Sequence, residues 1–251
     1  MRLAVRDLAM AFGGNRVLTG VSFTVDGPQV CGLIGPNGAG KTTLVNVLTG
    51  TYRPTGGAVF LDGERIDGLP ASRIAKRGMA RTFQVTRPFL RMTVLDNLRV
   101  PAYAKDPHLD PSEFRRRARE ALELVTIEHL ADEYARALSG GQRKLLELAR
   151  LVMLDPEILI LDEPSAGVHP KLQETIGEFI RVLRGRGKAF IIISHDMETI
   201  FEQSERMLVL SGGALIADGD PDDVRRNPAV LHAYLGTDEG AEGGETHPRR
   251  A

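Results

Sequence analysis

Hydrophobic positions change period several times along the chain, and each change marks a different kind of element. Leu3-Ala4-Val5 and Val21-Ser22-Phe23-Thr24-Val25 are alternating runs on either side of the turn-forming Gly13-Gly14-Asn15, which predicts antiparallel strands. Val30 to Ile34 has no charged position and predicts a buried strand, followed by a helix over Thr42 to Leu48 closed by Gly50. Val59-Phe60-Leu61 before Asp62-Gly63 predicts a hairpin. From about Thr86 to Leu148 the period becomes helical. There Ser112 is the expected cap of a helix whose apolar face is Phe114, Ala118, Ala121, Leu122 and Val125, with Arg115, Arg116, Arg117 and Arg119 mostly between them. Ile158 to Leu161 and Ala189 to Ile193 are unbroken apolar runs, the pattern of parallel strands covered on both faces. An amphipathic helix over Lys171 to Leu183 joins them, so the second half reads as βαβ. Gly236 to Ala251 is rich in Gly and Glu and is expected to be disordered.

The first of these strands runs into Gly35-Pro36-Asn37-Gly38-Ala39-Gly40-Lys41-Thr42, a complete phosphate-binding loop pattern, with Thr43 next. Glycines let successive backbone N–H groups turn inward around a phosphate, the Lys41 ammonium reaches the β and γ oxygens, and the Thr42 hydroxyl can ligate Mg2+. The run Ile158 to Leu161 ends in Asp162-Glu163. A carboxylate at the end of a buried strand can hold Mg2+, here Asp162, and a neighbour can orient or deprotonate the attacking water, here Glu163. Alone, two acids after an apolar run are equally read as solvated strand-end carboxylates. Leu138-Ser139-Gly140-Gly141-Gln142 precedes a helix expected over Arg143 to Leu151, and is either an ordinary cap or a second anion-binding helix end.

Composition narrows the setting. The 251 residues are 42% hydrophobic and 26% charged, as in one large globular domain or a domain with an insertion. A formal net charge of -1 gives no electrostatic case for nucleic acid or an anionic membrane as a partner. The single cysteine, Cys31, allows neither an intramolecular disulfide nor a thiolate metal cluster, and fits a reduced cytosol. Nothing approaches the roughly 18 apolar residues a transmembrane helix needs, and no signal-peptide character follows Met1.

The phosphate loop, the Ser139-Gly140-Gly141-Gln142 motif, Ile158 to Glu163 with Pro164, and the lone His195 stand in the order and spacing of ABC (ATP-binding cassette) ATPases. The chain resembles that family over about residues 3 to 235. The resemblance implies an α/β fold, a phosphate-loop NTPase with a RecA-like core, an N-terminal antiparallel β-subdomain and an inserted α-helical subdomain at about 86–148. It implies one ABC ATPase domain over 1–235 and a tail at 236–251. It implies ATP and Mg2+ as ligands and a head-to-tail dimer, in which ATP lies between the phosphate loop of one subunit and the Ser139 to Gln142 motif of the other. Phe12 falls at the adenine-stacking position, with a core aromatic as the alternative. Gln84 matches the glutamine that reaches Mg2+ and the attacking water, and His195 the histidine that contacts the γ-phosphate. One departure is His169, in Ala166-Gly167-Val168-His169-Pro170, where most of the family has an aspartate that helps couple the two sites.

Within the family, Gly78 to Gln84, Ala166 to Pro170, and the ending Asn227-Pro228 to Ala233-Tyr234-Leu235-Gly236 resemble ATPase subunits of branched-chain amino-acid importers. Urea or amide importers and the lipopolysaccharide-export ATPase share much of this pattern. The resemblance implies a homodimer, or a heterodimer with a related ATPase subunit, on two transmembrane permease subunits and indirectly a solute-binding protein. That arrangement puts the chain at the cytoplasmic face of the membrane, with no nucleic-acid partner. Pro88 to Met92 is then either the surface that receives a permease helix or a cluster buried within the helical subdomain. The Arg115 to Arg119 run is the solvated face of a helix, with lipid headgroup contact as the lesser reading. A non-transport ABC ATPase on nucleic acid or ribosomes would carry tandem cassettes or long insertions, and a kinase would lack the Ser139 motif.

Overall fold

The structure, a computed structural model, describes residues 2–82 and 88–235. Gln84 and the 236–251 tail lie outside the described residues. Strands β1 (Arg2–Phe12) and β2 (Asn15–Asp26) form an antiparallel pair around Gly13-Gly14, and β3 (Val30–Ile34) leads to helix α1 (Lys41–Leu48). The next elements are β4 (Gly56–Leu61), β5 (Glu64–Arg65), α2 (Ala71–Lys76) and β6 (Met79–Arg81). Three helices come next: α3 (Val94–Lys105), α4 (Pro111–Leu124) and α5 (Gly140–Leu154). The chain continues through β7 (Ile158–Asp162), α6 (Pro170–Gly185), β8 (Ala189–Ile193), α7 (Met197–Gln203) and β9 (Arg206–Ser211), and ends in β10 (Ala214–Gly219), α8 (Pro221–Arg226) and α9 (Pro228–Leu235).

Two sheets result. One has the order β2-β1-β4-β5, antiparallel throughout; the other has the order β10-β9-β3-β8-β7-β6, parallel except for β10. The unbroken apolar runs predicted as two-sided strands split by parity. Leu159, Leu161, Phe190 and Ile192 face a core shared with α3 to α6, whereas Ile158, Ile160, Ile191 and Ile193 face a core shared with α1 and the antiparallel sheet. Alternate residues of a strand point to opposite faces, so only a run with no polar position can be covered on both. Each such Leu or Ile contributes about 1.5–3 kcal/mol by burial.

Expected boundaries move most at the starts of α4 and α5, and α5 also runs past the expected Leu151 to Leu154. The cap of α4 is Asp110, which accepts from the Ser112 and Glu113 amides at 2.8 and 3.3 Å; Ser112 is inside the helix. Pro111 explains the shift, since proline at the first helical position costs no hydrogen bond and makes the preceding Asp the cap. The α4 face predicted apolar is buried at Phe114, Ala118, Ala121 and Leu122, and Arg116 and Arg117 lie on its solvated side, paired with Glu113. Helix α5 begins at Gly140, three residues before the expected Arg143, because Ser139 caps it directly.

Candidate functional site

The C-terminal ends of β3, β7 and β8 lie side by side, and the segments leaving the three strands meet at one cavity of about 240 Å3. Asn37 to Thr43 line one wall; Asp162, Glu163, Ile193 and His195 line the other. Gly35 has its backbone against strand β9: a Cβ there would stand 2.1 Å from the Leu210 carbonyl oxygen, so no other residue fits. Gly40 is the N-cap of α1 in left-handed geometry, φ 102°, with no side-chain cap, so the first amides of α1 are left to face the cavity. Lys41 is buried, its ammonium donating to the Gly35 and Pro36 carbonyls at 2.6 and 3.1 Å. Burial pulls its pKa below the ordinary lysine range, opposed by the nearby Glu163 and Asp162 carboxylates.

Asp162 ends β7. Burial pushes its carboxyl above the ordinary aspartate range, opposed by the charges of Arg81, His195 and Lys41. Its amide donates to Thr82 Oγ1 at 3.0 Å, and Arg81 approaches its carboxylate at 3.5 Å while donating to Asn46 Oδ1 of α1 at 2.6 Å. Arg81 thereby braces Asp162 against the phosphate-loop helix. Glu163 has a left-handed backbone, φ 51°, and donates its amide to the Ile193 carbonyl at 2.9 Å. Its Oε2 accepts from the His195 amide at 3.4 Å. Its Oε1 is buried without a hydrogen bond, and the His195 imidazole Nε2, 3.3 Å away, is outside hydrogen-bonding geometry. A buried acceptor with no partner on the cavity wall is suited to a water or hydroxyl donor.

The donor set fits a magnesium nucleotide. Thr42 and Asp162 offer hard oxygen ligands, and among the described residues there is no cluster of three His, Cys, Asp or Glu that would hold a metal without a phosphate. Ser139 to Gln142 do not reach this cavity. Ser139, Gly141 and Gln142 line a separate one of about 370 Å3, together with Gly167, Val168 and His169. Ser139 and Gln142 form a reciprocal capping box: Gln142 Oε1 accepts from the Ser139 amide at 2.9 Å, and Ser139 Oγ accepts from the Gln142 amide at 3.2 Å. His169 caps α6, its Nδ1 accepting from the Lys171 amide at 3.3 Å.

Phe12 is 44% exposed and meets the Tyr52 ring edge-on at 5.3 Å, which removes the core-aromatic alternative, and neither ring lines the phosphate-loop cavity. Phe89 and Leu90 are 43% and 45% exposed, so these two are not buried in a helical core. Neither the bracing contacts of Arg81 nor the contacts of Lys144 with the loop after Glu163 carry a sequence signal, because they join residues far apart in the chain.

Comparison with known proteins agrees with this geometry. The ABC transporter family profile matches residues 18–166, and a second profile, of branched-chain amino acid ATP-binding cassette transporters, matches residues 214–240. The chain is 43% identical to the high-affinity branched-chain amino acid transport ATP-binding protein BraF of Pseudomonas aeruginosa, covering 93% of this chain and 97% of that one. It is 40% identical to LivG of Escherichia coli and 37% to the lipopolysaccharide export ATP-binding protein LptB of Haemophilus influenzae, with the same shares covered. The crystal structure of the ADP conformation of MJ1267, an ATP-binding cassette of an ABC transporter, superposes with a TM-score of 0.82 at 33% identity, covering 94% of this chain and 99% of that one. No described helix is long and apolar enough to cross a membrane. A phosphate loop facing two strand-end acids, on an α/β core that these relatives share over nearly its whole length, makes this chain a member of the ABC transporter family, an ATP-binding cassette ATPase.

Proposed function

We propose that the chain hydrolyses ATP to drive uptake of branched-chain amino acids, or other hydrophobic amino acids, through separate permease subunits at the cytoplasmic face of the membrane. The observation that carries the hydrolytic part is the meeting of Gly38 to Thr43 with Asp162, Glu163 and His195 around one cavity. The backbone amides and Lys41 bind the β- and γ-phosphates, and Thr42 and Asp162, with Gln84, hold Mg2+. The ion supplies charge neutralisation on the phosphate oxygens. Glu163 accepts a proton from the attacking water, whose oxygen bonds to the γ-phosphorus as the bond to the β-bridging oxygen breaks, and His195 donates to the γ-phosphate. Phe12 stacks on adenine. Ser139 to Gln142 serve the nucleotide of a second subunit, either another copy of this chain or a related ATPase. Exposed Phe89 and Leu90 belong to the surface that receives a permease helix. The match of residues 214–240 to the branched-chain profile supports the solute class.

Two measurements test this reading. Glu163→Gln is expected to bind ATP with unchanged affinity and lose turnover by about 100-fold or more, a scale typical of a positioned base. Retained turnover removes Glu163 from the chemistry. Cells lacking the chain are expected to lose high-affinity uptake of labelled leucine and to regain it with the native chain but not with Glu163→Gln. Unchanged leucine uptake in the deletion strain refutes the solute assignment.

A further inference from the structure

The loop from Glu163 to His169 is gripped near its start by a side chain from another element. Lys144, in the second turn of α5, places its ammonium 2.5 Å from the Ala166 carbonyl oxygen and 3.4 Å from those of Glu163 and Pro164. Three ammonium hydrogens thus face three main-chain acceptors of one short segment. Burial lowers the Lys144 pKa, opposed by Glu147 and Glu163. These contacts surround a residue that needs support, since Glu163 occupies the left-handed region at φ 51°, which a non-glycine side chain keeps only where its surroundings hold it. The amide of Glu163 is fixed by Ile193; its carbonyl faces Lys144.

Lys144 also stands on the helix that Ser139 caps. The loop it grips ends at Gly167, Val168 and His169, which line one cavity with Ser139 and Gly141. Helix α5 is therefore a rigid connection between the Ser139 end and the loop that aims Glu163. We propose that Lys144 is a positioning residue: it fixes the backbone after β7 so that the Glu163 carboxylate stays on the cavity wall, and it ties that placement to the Ser139 end of α5. This rests on the reading of Glu163 as the group that acts on water.

The test is steady-state ATP turnover by the full-length chain carrying Lys144→Met, Lys144→Arg or Glu163→Gln, and the Lys144→Met/Glu163→Gln pair. Lys144→Met is expected to lower kcat about tenfold with the KM for ATP within about twofold, because the phosphate loop is untouched, and Lys144→Arg to recover at least about half of the loss. In the Glu163→Gln background the same change is expected to lower the residual rate by less than about twofold, since its effect passes through the missing carboxylate. Native kcat in Lys144→Met, with Glu163→Gln inactive, overturns the inference alone. So does a full tenfold loss from Lys144→Met in the Glu163→Gln background. Full turnover in Glu163→Gln by itself overturns the reading of Glu163, and this inference with it. Should Lys144→Met not yield folded chain, Lys144→Leu, which likewise removes every donor, carries the same expectations.

Discussion

Two helices of this chain start at glycine-rich turns, and they treat their first amides in opposite ways. Helix α1 begins after Gly40 in left-handed geometry with no side-chain cap, and Lys41, Thr42 and Thr43 face the cavity. Helix α5 begins after Ser139, and the Ser139–Gln142 box already occupies its third amide. An anion at α1 meets open donors and the positive end of the helix dipole. One at α5 finds the third amide already taken by Ser139 Oγ, with the hydroxyl hydrogen of Ser139 still free to donate. The α1 end therefore offers an anion more open backbone donors than the α5 end does.

Removing the charge at the open end is the harshest test. Lys41→Ala is expected to weaken ATP binding by about 100-fold, near 2.7 kcal/mol, in a fluorescent-nucleotide titration; a change below about threefold would erase the asymmetry. Gly40→Ala comes next. Its Cβ would stand 2.9 Å from Leu18 Cδ2 and 3.0 Å from the Val17 carbonyl oxygen at a φ of 102°, so about tenfold weaker nucleotide binding is expected, with about 1–3 kcal/mol of strain appearing in urea unfolding. At the closed end, Ser139→Ala is expected to cost about 1 kcal/mol of folding stability and to leave nucleotide affinity of the isolated chain within about twofold. Loss of affinity in that variant would mean both ends act within one chain.

The smallest effect is expected from pH. Burial lowers the Lys41 pKa, so the ammonium loses its proton at a lower pH than an ordinary lysine. The contribution of Lys41 to nucleotide affinity is then full below the lowered value and falls as pH rises through it. Calorimetric titration as the pH is raised into the alkaline range is expected to show a decline of less than about threefold, absent in Lys41→Ala.

The open end is legible in the sequence because its chemistry is local: glycines, lysine and threonine at fixed offsets fold into an uncapped helix end on the cavity. The parallel strands are equally legible, since a run such as Phe190 to Ile193 with no polar position has no solvent face to offer. The cap of α4 is misplaced when Ser112 is weighed without Pro111, which hands the cap to Asp110. Contacts across the chain are not legible at all. Arg81 with Asn46 and Asp162, and Lys144 with three loop carbonyls, obey no spacing rule, and only the packed sheet brings them together. For Gln84 and the 236–251 tail, outside the described residues, the expectations rest on the sequence alone.

The pairing of β7 with β8 sets Asp162 opposite Ile193. Two chemical groups thus arrive at the same height because neighbouring rungs of a ladder stop together, whatever path joins the rails. The turn from α6 into β8 lies at the far end of that ladder, where extra residues would lengthen the detour without moving its destination. A molecule built this way keeps the turn from α6 into β8 apart from its fixed edge, so that turn can lengthen while Glu163 and His195 keep their address.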